Sequence, residues 1–481
     1  MAEDLREWIE QVSSLGLLKI ATGADPELEI GVITELNAKS RKYTILFDEI
    51  KGHKRGFRLL VGSLIDRVRL ALALGIPIPA NDIDLVKAIK ERLSGIWTKL
   101  SEYEPQVLDD APFMENVKKG DEVDVTIFPA PKWHELDGGR YLGTADCVIT
   151  VDPDSGWVNV GTYRVMVHGK RELGILFDTG HHGRFHMTKW LEKGKRCPVA
   201  ISFGHHPLMF AVGGLEVPFG ISEYNYAGAL TGRRWKVVKG PITGLPIPYD
   251  SEVVVEGYID GETKPEVPFG EFMGYYAGGV MENPVIKVEA VYYRENPIIL
   301  GTAPGRPPYD YSYYRCPFRA AMIWDALEKA GIPNVVGVWC HEAGYSRAFT
   351  VVSIRQSYAG HARQAGYVAA MCRPGAYAGR FVVVVDEDID PTNLNDVVWA
   401  MCSRTDPAEH IEIIRHAWGS PLDPIAEREP GMRVDEFESS RAIIFACWPY
   451  RMLARGRVPA VAESSKQITQ EIREKWKWLF E

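Results

Sequence analysis

The chain has 481 residues, of which 46% are hydrophobic and 25% are charged, and this combination predicts a globular protein with two or three domains. The net charge of −9, without a dense basic stretch, argues against a nucleic-acid-binding protein. No apolar run reaches the roughly 18 residues of a membrane span, and the acidic start lacks a basic leader region and a cleavage site. The seven cysteines are scattered without a CxxC pair, as is typical of reduced, buried thiols in a cytoplasmic protein.

The first hundred or so residues are predicted to form a small α/β layer. An amphipathic helix comes first, and its apolar residues at helical spacing are Leu5, Trp8, Ile9, Val12 and Leu15. Strands are predicted in KYTILFDEI and GFRLLVG, and a second helix over residues 83–103.

The middle of the chain, from about residue 120 to 305, has a different residue pattern. Short segments rich in β-branched and aromatic residues alternate with Gly, Pro, Asp and Asn. DVTIFPAP, WVNVGTYRVMV, CPVAISFG and SEVVVEGYI are examples. This pattern predicts an antiparallel sheet or barrel.

From residue 318 onward, predicted helices and strands alternate, which indicates a partly parallel sheet. The end of the chain, SSKQITQEIREKWKWLF, carries an apolar stripe of Ile468, Ile472 and Trp476. Such a stripe needs a cover, which either a partner subunit or the same domain would provide.

Several common catalytic motifs are missing. The chain has no GxGxxG, GxxxxGK[ST] or GxSxG, and HEAGY at residues 341–345 lacks the second histidine of HExxH. A Rossmann dehydrogenase, a P-loop enzyme and a zincin therefore lose support.

Chemistry-bearing polar residues are instead concentrated in the β-rich middle. They are Asn159, Arg164, His181, His182, Glu223, Glu266 and Glu271. An arginine in a buried strand needs a carboxylate partner, because an unpaired buried charge is costly. Asn, His and Glu side chains together favour a hard divalent ion such as Mn²⁺ or Mg²⁺, shared with a phosphate.

Each of these residues also has a structural interpretation. His182 alone is more often a satisfied core or surface histidine, and Glu223 alone would serve to cap a turn. Glu266 and Glu271 alone would suit a solvated surface turn.

Spacing raises a further objection. Asn159 and Arg164 are an odd number of residues apart, so a regular strand would point them to opposite faces. A bulge at Gly161 would bring them together, and a bend at Pro268 and Gly270 would do the same for the two glutamates.

Taken together, WVNVGTYR, GHH, GISEYNYAGALTGR, EVPFGEFMGYY and DEDIDPTNLNDVVWAMCSRTDP resemble the UbiD family of decarboxylases over essentially the whole chain. The resemblance implies a mixed α/β (α+β) fold. The implied parts are an N-terminal α/β domain (residues 1–115), a central split β-barrel domain that binds the flavin (116–310), a linking helix (311–330), a C-terminal α/β oligomerisation domain (331–460) and a C-terminal helix (461–481).

The resemblance also implies a cofactor, prenylated FMN, supplied by a separate flavin prenyltransferase. Its phosphate would be held through Mn²⁺ (or Mg²⁺) and K⁺. The family's metal ligands fall on Asn159, His182 and Glu223, and its catalytic Glu-Arg-Glu set falls on Glu266, Arg164 and Glu271. Arg363 is the candidate for a cation beside the cofactor phosphate.

The implied reaction is the reversible, non-oxidative decarboxylation of an aromatic carboxylic acid to release CO₂, with the flavin as a covalent electron sink. Arg164 would orient the substrate carboxylate and keep Glu266 ionised, and Glu271 would donate the proton. His181 would face the substrate and bond a phenol. This favours a hydroxylated benzoic acid such as protocatechuate, vanillate or 4-hydroxybenzoate.

Alternatives remain open from the sequence. Furan or pyrrole carboxylic acids are the second candidate substrates, and cinnamic-type acids the third. The chain could also be a cofactor-carrying subunit of a multi-subunit carboxylase, or an FMN-dependent reductase that would not need the Glu-Arg-Glu set. A homo-oligomer, either dimer or hexamer, is expected from the resemblance.

Overall fold

The computed structural model describes residues 2–178, 180–266, 268–276, 280–426, 432 and 436–480. Thr179, which precedes the GHH motif, and Val267, within EVPFGEFMGYY, lie outside the described residues.

The helices are α1 (Leu5–Ser14), α2 (Glu29–Ser40), α3 (Arg67–Leu74), α4 (Asp82–Leu93), α5 (Ile96–Lys99), α6 (His182–Glu192), α7 (Pro207–Gly213), α8 (Glu223–Thr231), α9 (Asp310–Lys329), α10 (His361–Met371), α11 (Arg373–Ala376), α12 (Leu394–Arg404), α13 (Tyr450–Leu453), α14 (Lys466–Lys475) and α15 (Lys477–Phe480). Short 3₁₀ turns occur at Leu100–Tyr103, Pro112–Glu115, Gly120–Glu122, Val125–Ile127 and Glu342–Gly344.

The strands are β1 (Leu18–Thr22), β2 (Thr44–Asp48), β3 (Arg58–Val61), β4 (Gln106–Leu108), β5 (Asn116–Lys119), β6 (Tyr141–Gly143), β7 (Cys147–Val151), β8 (Val158–Gly161), β9 (Val165–Gly169), β10 (Glu172–Ile175), β11 (Cys197–Phe203), β12 (Lys236–Lys239), β13 (Pro246–Pro248), β14 (Val253–Glu266), β15 (Met281–Tyr293), β16 (Ile298–Leu300), β17 (Val335–Cys340), β18 (Phe349–Ile354), β19 (Phe381–Asp386), β20 (Ile411–Trp418) and β21 (Glu438–Ala446).

The N-terminal part is a small α/β layer, as predicted. Its sheet has the order β1-β2-β3-β16, so its last strand comes from much later in the chain. Asp4 caps α1 by accepting a hydrogen bond from the N–H of Glu7 at 2.9 Å. The helix predicted over residues 83–103 is broken, because α4 ends at Leu93 and Gly95 has a φ of +70°.

The central part is an antiparallel, strongly curled sheet, which confirms the predicted β-rich domain. Its strand order is β6-β9-β10-β15-β14-β11-β7-β8, with β5 pairing to β15, and a small separate sheet has the order β13-β12-β4. The strand predicted in DVTIFPAP is wrong. A 3₁₀ turn forms there, because the carboxylate of Asp124 accepts the N–H of Thr126 at 3.0 Å and so competes with strand pairing.

WVNVGTYRVMV is not one bulged strand around Gly161, as the sequence suggested. It forms β8, which pairs with β7, and then β9, which pairs with β6 and β10. The chain turns between them, where the N–H of Thr162 donates to the carbonyl of Gly213 at 3.1 Å. Asn159 lies in β8, before this turn, and Arg164 lies after it, directly before β9. The two residues are therefore not in one regular strand, and their odd spacing does not place them on opposite faces of a sheet.

The C-terminal part confirms the partly parallel sheet. Its order is β17-β18-β19-β21-β20, with parallel pairing from β18 through β19 to β21 and antiparallel strands at both edges. Helix α9 joins it to the rest of the chain. The carboxylate of Asp310 at the start of α9 accepts the backbone N–H groups of Ser63 at 2.9 Å and Leu64 at 2.6 Å.

Two surface features complete the fold. The stripe on the terminal helices is exposed in the single chain, with Ile468 at 54%, Ile472 at 45% and Trp476 at 41%. All seven cysteines are free; five are buried and Cys372 is partly buried, but Cys402 is exposed, so the expectation of buried thiols is wrong for Cys402. Over the described ranges, none of the helices has both the length and the apolar character needed to cross a bilayer.

Candidate active site

Arg164 lies at the centre of a buried ion-pair cluster. Its Nε donates to Glu266 Oε1 at 2.7 Å, and its Nη2 donates to Glu266 Oε2 at 3.2 Å. Its Nη1 donates to Glu271 Oε1. The exposed fractions of the side chains are 8% for Arg164, 3% for Glu266 and 8% for Glu271. Both carboxylates thus share one guanidinium, and the solvated-turn interpretation does not apply to them.

Strand pairing fixes the position of Glu266. It is the last residue of β14, where it pairs with Met281 of β15. Asn283, two residues further along β15, donates from Nδ2 to Glu266 Oε2. The carboxylate of Glu266 is therefore held from both sides, by Arg164 and by an amide on the neighbouring strand.

Backbone hydrogen bonds hold the loop that carries Glu271. The N–H of Glu271 donates to the carbonyl of Tyr275 at 3.1 Å, and the N–H of Gly274 donates to the carbonyl of Glu271 at 2.8 Å. Gly274 has a φ of +90°, a conformation that strains other residues. On the other side, the N–H of Gly270 donates to the buried carboxylate of Asp137 at 3.0 Å. The Pro-Phe-Gly bend seen in the sequence is thus an ordered support.

The electrostatics of the cluster favour a protonated Glu271. Burial raises the pKa of its carboxyl group, the charge of Arg164 lowers that pKa, and the charge of Glu266 raises it again. The pKa stays above the ordinary value for glutamic acid. For Arg164, burial lowers the pKa, but the two carboxylates outweigh burial and raise it above its usual value. The cluster thus combines a cation with a carboxyl group that holds its proton more tightly than an ordinary glutamic acid does.

The three predicted metal ligands lie together around β8. Glu223 Oε2 accepts the backbone N–H of the residue that follows Asn159, at 2.6 Å. The phenol oxygen of Tyr163 accepts from Asn159 Nδ2 at 3.5 Å and from the N–H of Gly183, the neighbour of His182, at 3.4 Å. Sequence positions more than sixty residues apart therefore meet at one end of the central sheet.

The chemistry of this donor set fits a divalent cation. Glu223 is only 3% exposed, and burial raises its pKa to about 8, so a nearby cation would stabilise its carboxylate. Burial, followed by the charges of His181 and Arg373, lowers the pKa of His182 to about 4, which leaves a neutral imidazole with a free lone pair. In the described part of the chain, no three His, Cys, Asp or Glu side chains group as a metal site, so a cation here also needs the amide oxygen of Asn159.

The same region also fits a phosphate. His182 is the first residue of α6 and Glu223 is the first residue of α8. Two helix N-termini therefore meet here, and the free N–H groups and dipole of a helix N-terminus favour an anion.

His181 lies beside this site at the start of α6, with its ring centroid 5.4 Å from that of Tyr163. The surrounding protein lowers the pKa of its imidazole, the charge of Asp178 raises it, and the charges of Arg315 and Arg347 lower it further. His181 therefore lies within range of charges carried by α9 and by the C-terminal part.

Arg363 is not brought to the site. Its side chain is 45% exposed, bonds the carboxylate of Glu412 and donates to the carbonyl of Glu409 at 2.9 Å. Arg373 is the cation whose charge reaches His182. Sequence reasoning missed Arg373 because the position depends on how α11 packs across the cleft.

Arg315, Arg319 and Arg347 were also missed, although the sequence held a signal. Arg315 and Arg319 are four residues apart in YYRCPFRAA, an otherwise apolar helix, so both lie on one buried face. Buried cations at that spacing need an anion, as did Arg164.

Comparison with known proteins gives a consistent result over the whole chain. Residues 106–307 match a family model described as the 3-octaprenyl-4-hydroxybenzoate carboxy-lyase Rift-related domain, and residues 9–93 and 312–446 match the N-terminal and C-terminal domain models of the same carboxy-lyase. A phenolic acid decarboxylase of Streptomyces sp. is 32% identical over 478 residues, covering 97% of each chain. A pyrrole-2-carboxylic acid decarboxylase of Pseudomonas aeruginosa is 30% identical over 496 residues, covering 99% of this chain and 98% of the relative.

Solved structures agree in fold. The open form of vanillic acid decarboxylase from Sedimentibacter hydroxybenzoicus superposes with a TM-score of 0.84 at 27% identity, covering 100% of this chain and 99% of that chain. An evolved dimeric form of the UbiD-class enzyme HmfF from Pelotomaculum thermopropionicum, in complex with prFMN, superposes with a TM-score of 0.81 at 25% identity, covering 96% and 97%.

Removing the central cation tests the electrostatics of the cluster. We expect Arg164→Met to lower the free energy of unfolding by about 3–5 kcal/mol at pH 7, because it leaves two buried carboxylates without a positive partner. The pKa of Glu271 is already raised in the folded protein, so the unfolded chain releases this proton at a lower pH. The loss of stability in Arg164→Met should therefore appear above about pH 4.3, the ordinary pKa of glutamic acid. Urea unfolding at pH 7 and pH 4 measures both effects.

Arg196→Met is the matched control, since Arg196 is 55% exposed and pairs with Glu289 on the surface. It should change stability by less than about 0.5 kcal/mol. An Arg164→Met variant as stable as this control, or equally destabilised at both pH values, would contradict the assignment.

Proposed function

Because this chain belongs to the UbiD family of carboxy-lyases, as its motifs predicted, we propose that it catalyses the reversible decarboxylation of an aromatic carboxylic acid with prenylated FMN as cofactor. The observation that carries this proposal is the buried Arg164 bonded to both Glu266 and Glu271, next to the Asn159 group. An FMN-dependent reductase would have no use for such a cluster.

The residues of the cluster divide the work of the reaction. Arg164 binds the carboxylate that leaves as CO₂ and holds it in one orientation. Glu271 donates the proton that replaces CO₂ on the ring carbon, a role that its raised pKa favours. Glu266 and its amide partner Asn283 hold Arg164 in place. When bound, prenylated FMN would supply the electron sink that this ring carbon needs.

The cofactor phosphate would be held at the other end of the cleft. Asn159, His182 and Glu223 would bind Mn²⁺ or Mg²⁺ with it, K⁺ would complete the site, and the N-termini of α6 and α8 would add their N–H groups. Arg373 replaces Arg363 as the basic residue next to the phosphate, because its charge acts on His182.

Two substrate classes are the candidates within this family. His181 adjoins His182, where its imidazole would bond a phenol, and the phenolic acid decarboxylase among the relatives supports a hydroxylated benzoic acid. The pyrrole-2-carboxylic acid decarboxylase, with its similar identity, supports a heteroaromatic acid as the second candidate. A flavin prenyltransferase would supply the cofactor, and a homo-oligomer would cover the terminal helices.

The direct test is to co-express the chain with a flavin prenyltransferase and to assay CO₂ release from phenolic and heteroaromatic acids. We expect a prenylated-flavin absorbance spectrum and turnover of one class of acid. Bound cofactor without turnover of any acid would favour the cofactor-carrying subunit, and NAD(P)H oxidation would favour the reductase. Failure to bind prenylated FMN would end the proposal.

Replacing the proton donor should remove most of the activity and leave the fold intact. We expect Glu271→Gln to lower kcat about 10²- to 10⁴-fold, since one proton-transfer residue contributes that much. Wild-type decarboxylation should fall as the pH rises through the raised pKa of Glu271, where the donor loses its proton. CO₂ release from pH 5 to 9 measures both, with Glu289→Gln, at a half-buried surface position, as control. Near-normal kcat in Glu271→Gln would assign the proton to another group.

Two arginines can be compared as phosphate ligands. We expect Arg373→Met to weaken FMN binding about 10- to 100-fold, through loss of a charge-assisted contact, and Arg363→Met to leave it unchanged. FMN fluorescence titration measures both. Equal affinities in the two variants would remove Arg373 from the site.

A further inference from the structure

Glu271 lies on a connection between two strands, not on a strand. β14 ends at Glu266 and β15 begins at Met281, and the described residues between them form turns and irregular backbone. Residues 268–276 are called the Glu271 loop below. Because a loop lacks the ladder hydrogen bonds of a strand, contacts from other segments must fix the position of the carboxyl group that it carries.

One buried carboxylate, that of Asp137, bonds the Glu271 loop on both sides of Glu271. Its Oδ1 accepts the N–H of Gly270, the residue before Glu271, at 3.0 Å. On the other side is Tyr276. Burial raises the pKa of the Tyr276 phenol above its ordinary value, and the charge of Asp137 and a hydrogen bond with it raise that pKa further. Asp137 therefore ties together the two ends of the loop.

Asp137 is itself held in place by its own segment, residues 131–141. Its side chain is fully buried, and its Oδ2 accepts the N–H of His134 at 2.9 Å. The N–H of Asp137 donates in return to the carbonyl of His134 at 3.1 Å, and the N–H of Tyr141 donates to the carbonyl of Pro131 at 3.1 Å. The segment is thus closed on itself, and Asp137 has little freedom to move.

The start of the Glu271 loop packs directly on this segment. The N–H of Gly138 donates to the carbonyl of Pro268 at 2.9 Å. The ring centroid of Phe269 lies 4.2 Å from that of Tyr141, and the guanidinium of Arg164 lies 5.2 Å from the Phe269 ring. Phe269 therefore contacts both the segment that carries Asp137 and the cation that Glu271 must meet.

Gly270 also brings the loop close to His134. A Cβ atom at Gly270 would lie 3.2 Å from His134 Nδ1 and 3.2 Å from the carbonyl oxygen of Pro304, which is tighter than ordinary contact. The loop thus has almost no space on this side. Its backbone is pressed against the segment whose carboxylate it bonds.

Resting on the function proposed above, we propose that Asp137 is a positioning residue for the proton donor and holds Glu271 where it both contacts Arg164 and reaches the ring carbon. Asp137 acts through Glu271 and not on the substrate. A displacement of a reacting group by about 1 Å can cost about 10²-fold in rate, so the bonds on both sides of Glu271 matter for kcat.

The kinetic test is a double-mutant cycle on the enzyme loaded with prenylated FMN. Protocatechuate, 4-hydroxybenzoate and pyrrole-2-carboxylate are screened, and the acid with the fastest turnover is used. Asparagine has one acceptor oxygen in place of two, so Asp137→Asn cannot accept from both Gly270 and His134. We expect kcat to fall about 10- to 100-fold, with less than about a threefold change in KM.

The second half of the cycle shows whether Asp137 acts through Glu271. In a Glu271→Gln background, Asp137→Asn should change kcat by less than about threefold, because both residues serve one proton transfer. Equal fold losses in the two backgrounds would overturn the inference, and so would a loss that appears mainly in KM.

Hydrogen exchange of the backbone amides gives a readout on the chain without cofactor or turnover. We expect the peptide that covers residues 268–276 to exchange at least tenfold faster in Asp137→Asn, since the Gly270 amide loses its acceptor. Unchanged exchange of this peptide would overturn the inference.

Glu256→Gln is the matched control. Glu256 is a buried carboxylate on β14 that accepts the N–H groups of Thr243 at 2.8 Å and Ile242 at 3.2 Å. It should lower the thermal unfolding midpoint about as much as Asp137→Asn does, without changing kcat or exchange in residues 268–276. If Asp137→Asn does not fold, Tyr276→Phe decides, because it removes only the bond after Glu271 and should change kcat and exchange in the same directions.

The outcomes separate the two proposals. An active wild-type enzyme with additive losses in the cycle overturns the role of Asp137 and leaves decarboxylation standing. A wild-type enzyme that releases CO₂ from none of the acids ends the proposed function, and the role of Asp137 in proton donation ends with it. Faster exchange in Asp137→Asn would then show only that Asp137 holds the loop.

Discussion

The burial of one guanidinium is the constraint on which the rest of the site depends. A cation as enclosed as Arg164 must have anionic partners inside the protein, because water cannot reach it to replace them. The fold meets this demand with a strand end and a braced loop, which deliver Glu266 and Glu271. Burial and the charge of Glu266 raise the pKa of Glu271, and the contact with Arg164 opposes this rise without cancelling it.

The two ends of the candidate site differ in their charged groups. At one end, two helix N-termini and a neutral imidazole suit a phosphate with a cation. At the other end, Arg164 is paired with Glu266 and Glu271. The central domain carries Arg164 and the helices α6 and α8, whereas Arg373 comes from the C-terminal part. The relative placement of the central sheet and the C-terminal part therefore affects both ends of this arrangement.

Local sequence patterns were sufficient to predict much of the fold. The requirement that a buried charge has a partner was sufficient to predict part of the site. The helix around Trp8 and the β-rich middle follow from periodicity. The partnership of Arg164 with the two glutamates followed because a buried cation needs anions. The turn between β8 and β9, and the place of Arg373, depend on contacts between distant segments, which no local pattern encodes. The wrong strand in DVTIFPAP shows a single side chain, Asp124, overriding β-propensity.

The first sheet of the chain is completed by a strand that is made much later. β16 pairs with β3, with Ile298 opposite Arg58, so the whole central domain is inserted between two neighbouring strands. During synthesis, the edge of β3 stays unpaired until the central domain and β16 have emerged from the ribosome. At 5–20 residues per second, roughly 240 residues correspond to about 12–50 s of exposure. The enzyme is therefore expected to depend on chaperones or slow assembly at this edge, and to tolerate truncation before β16 poorly.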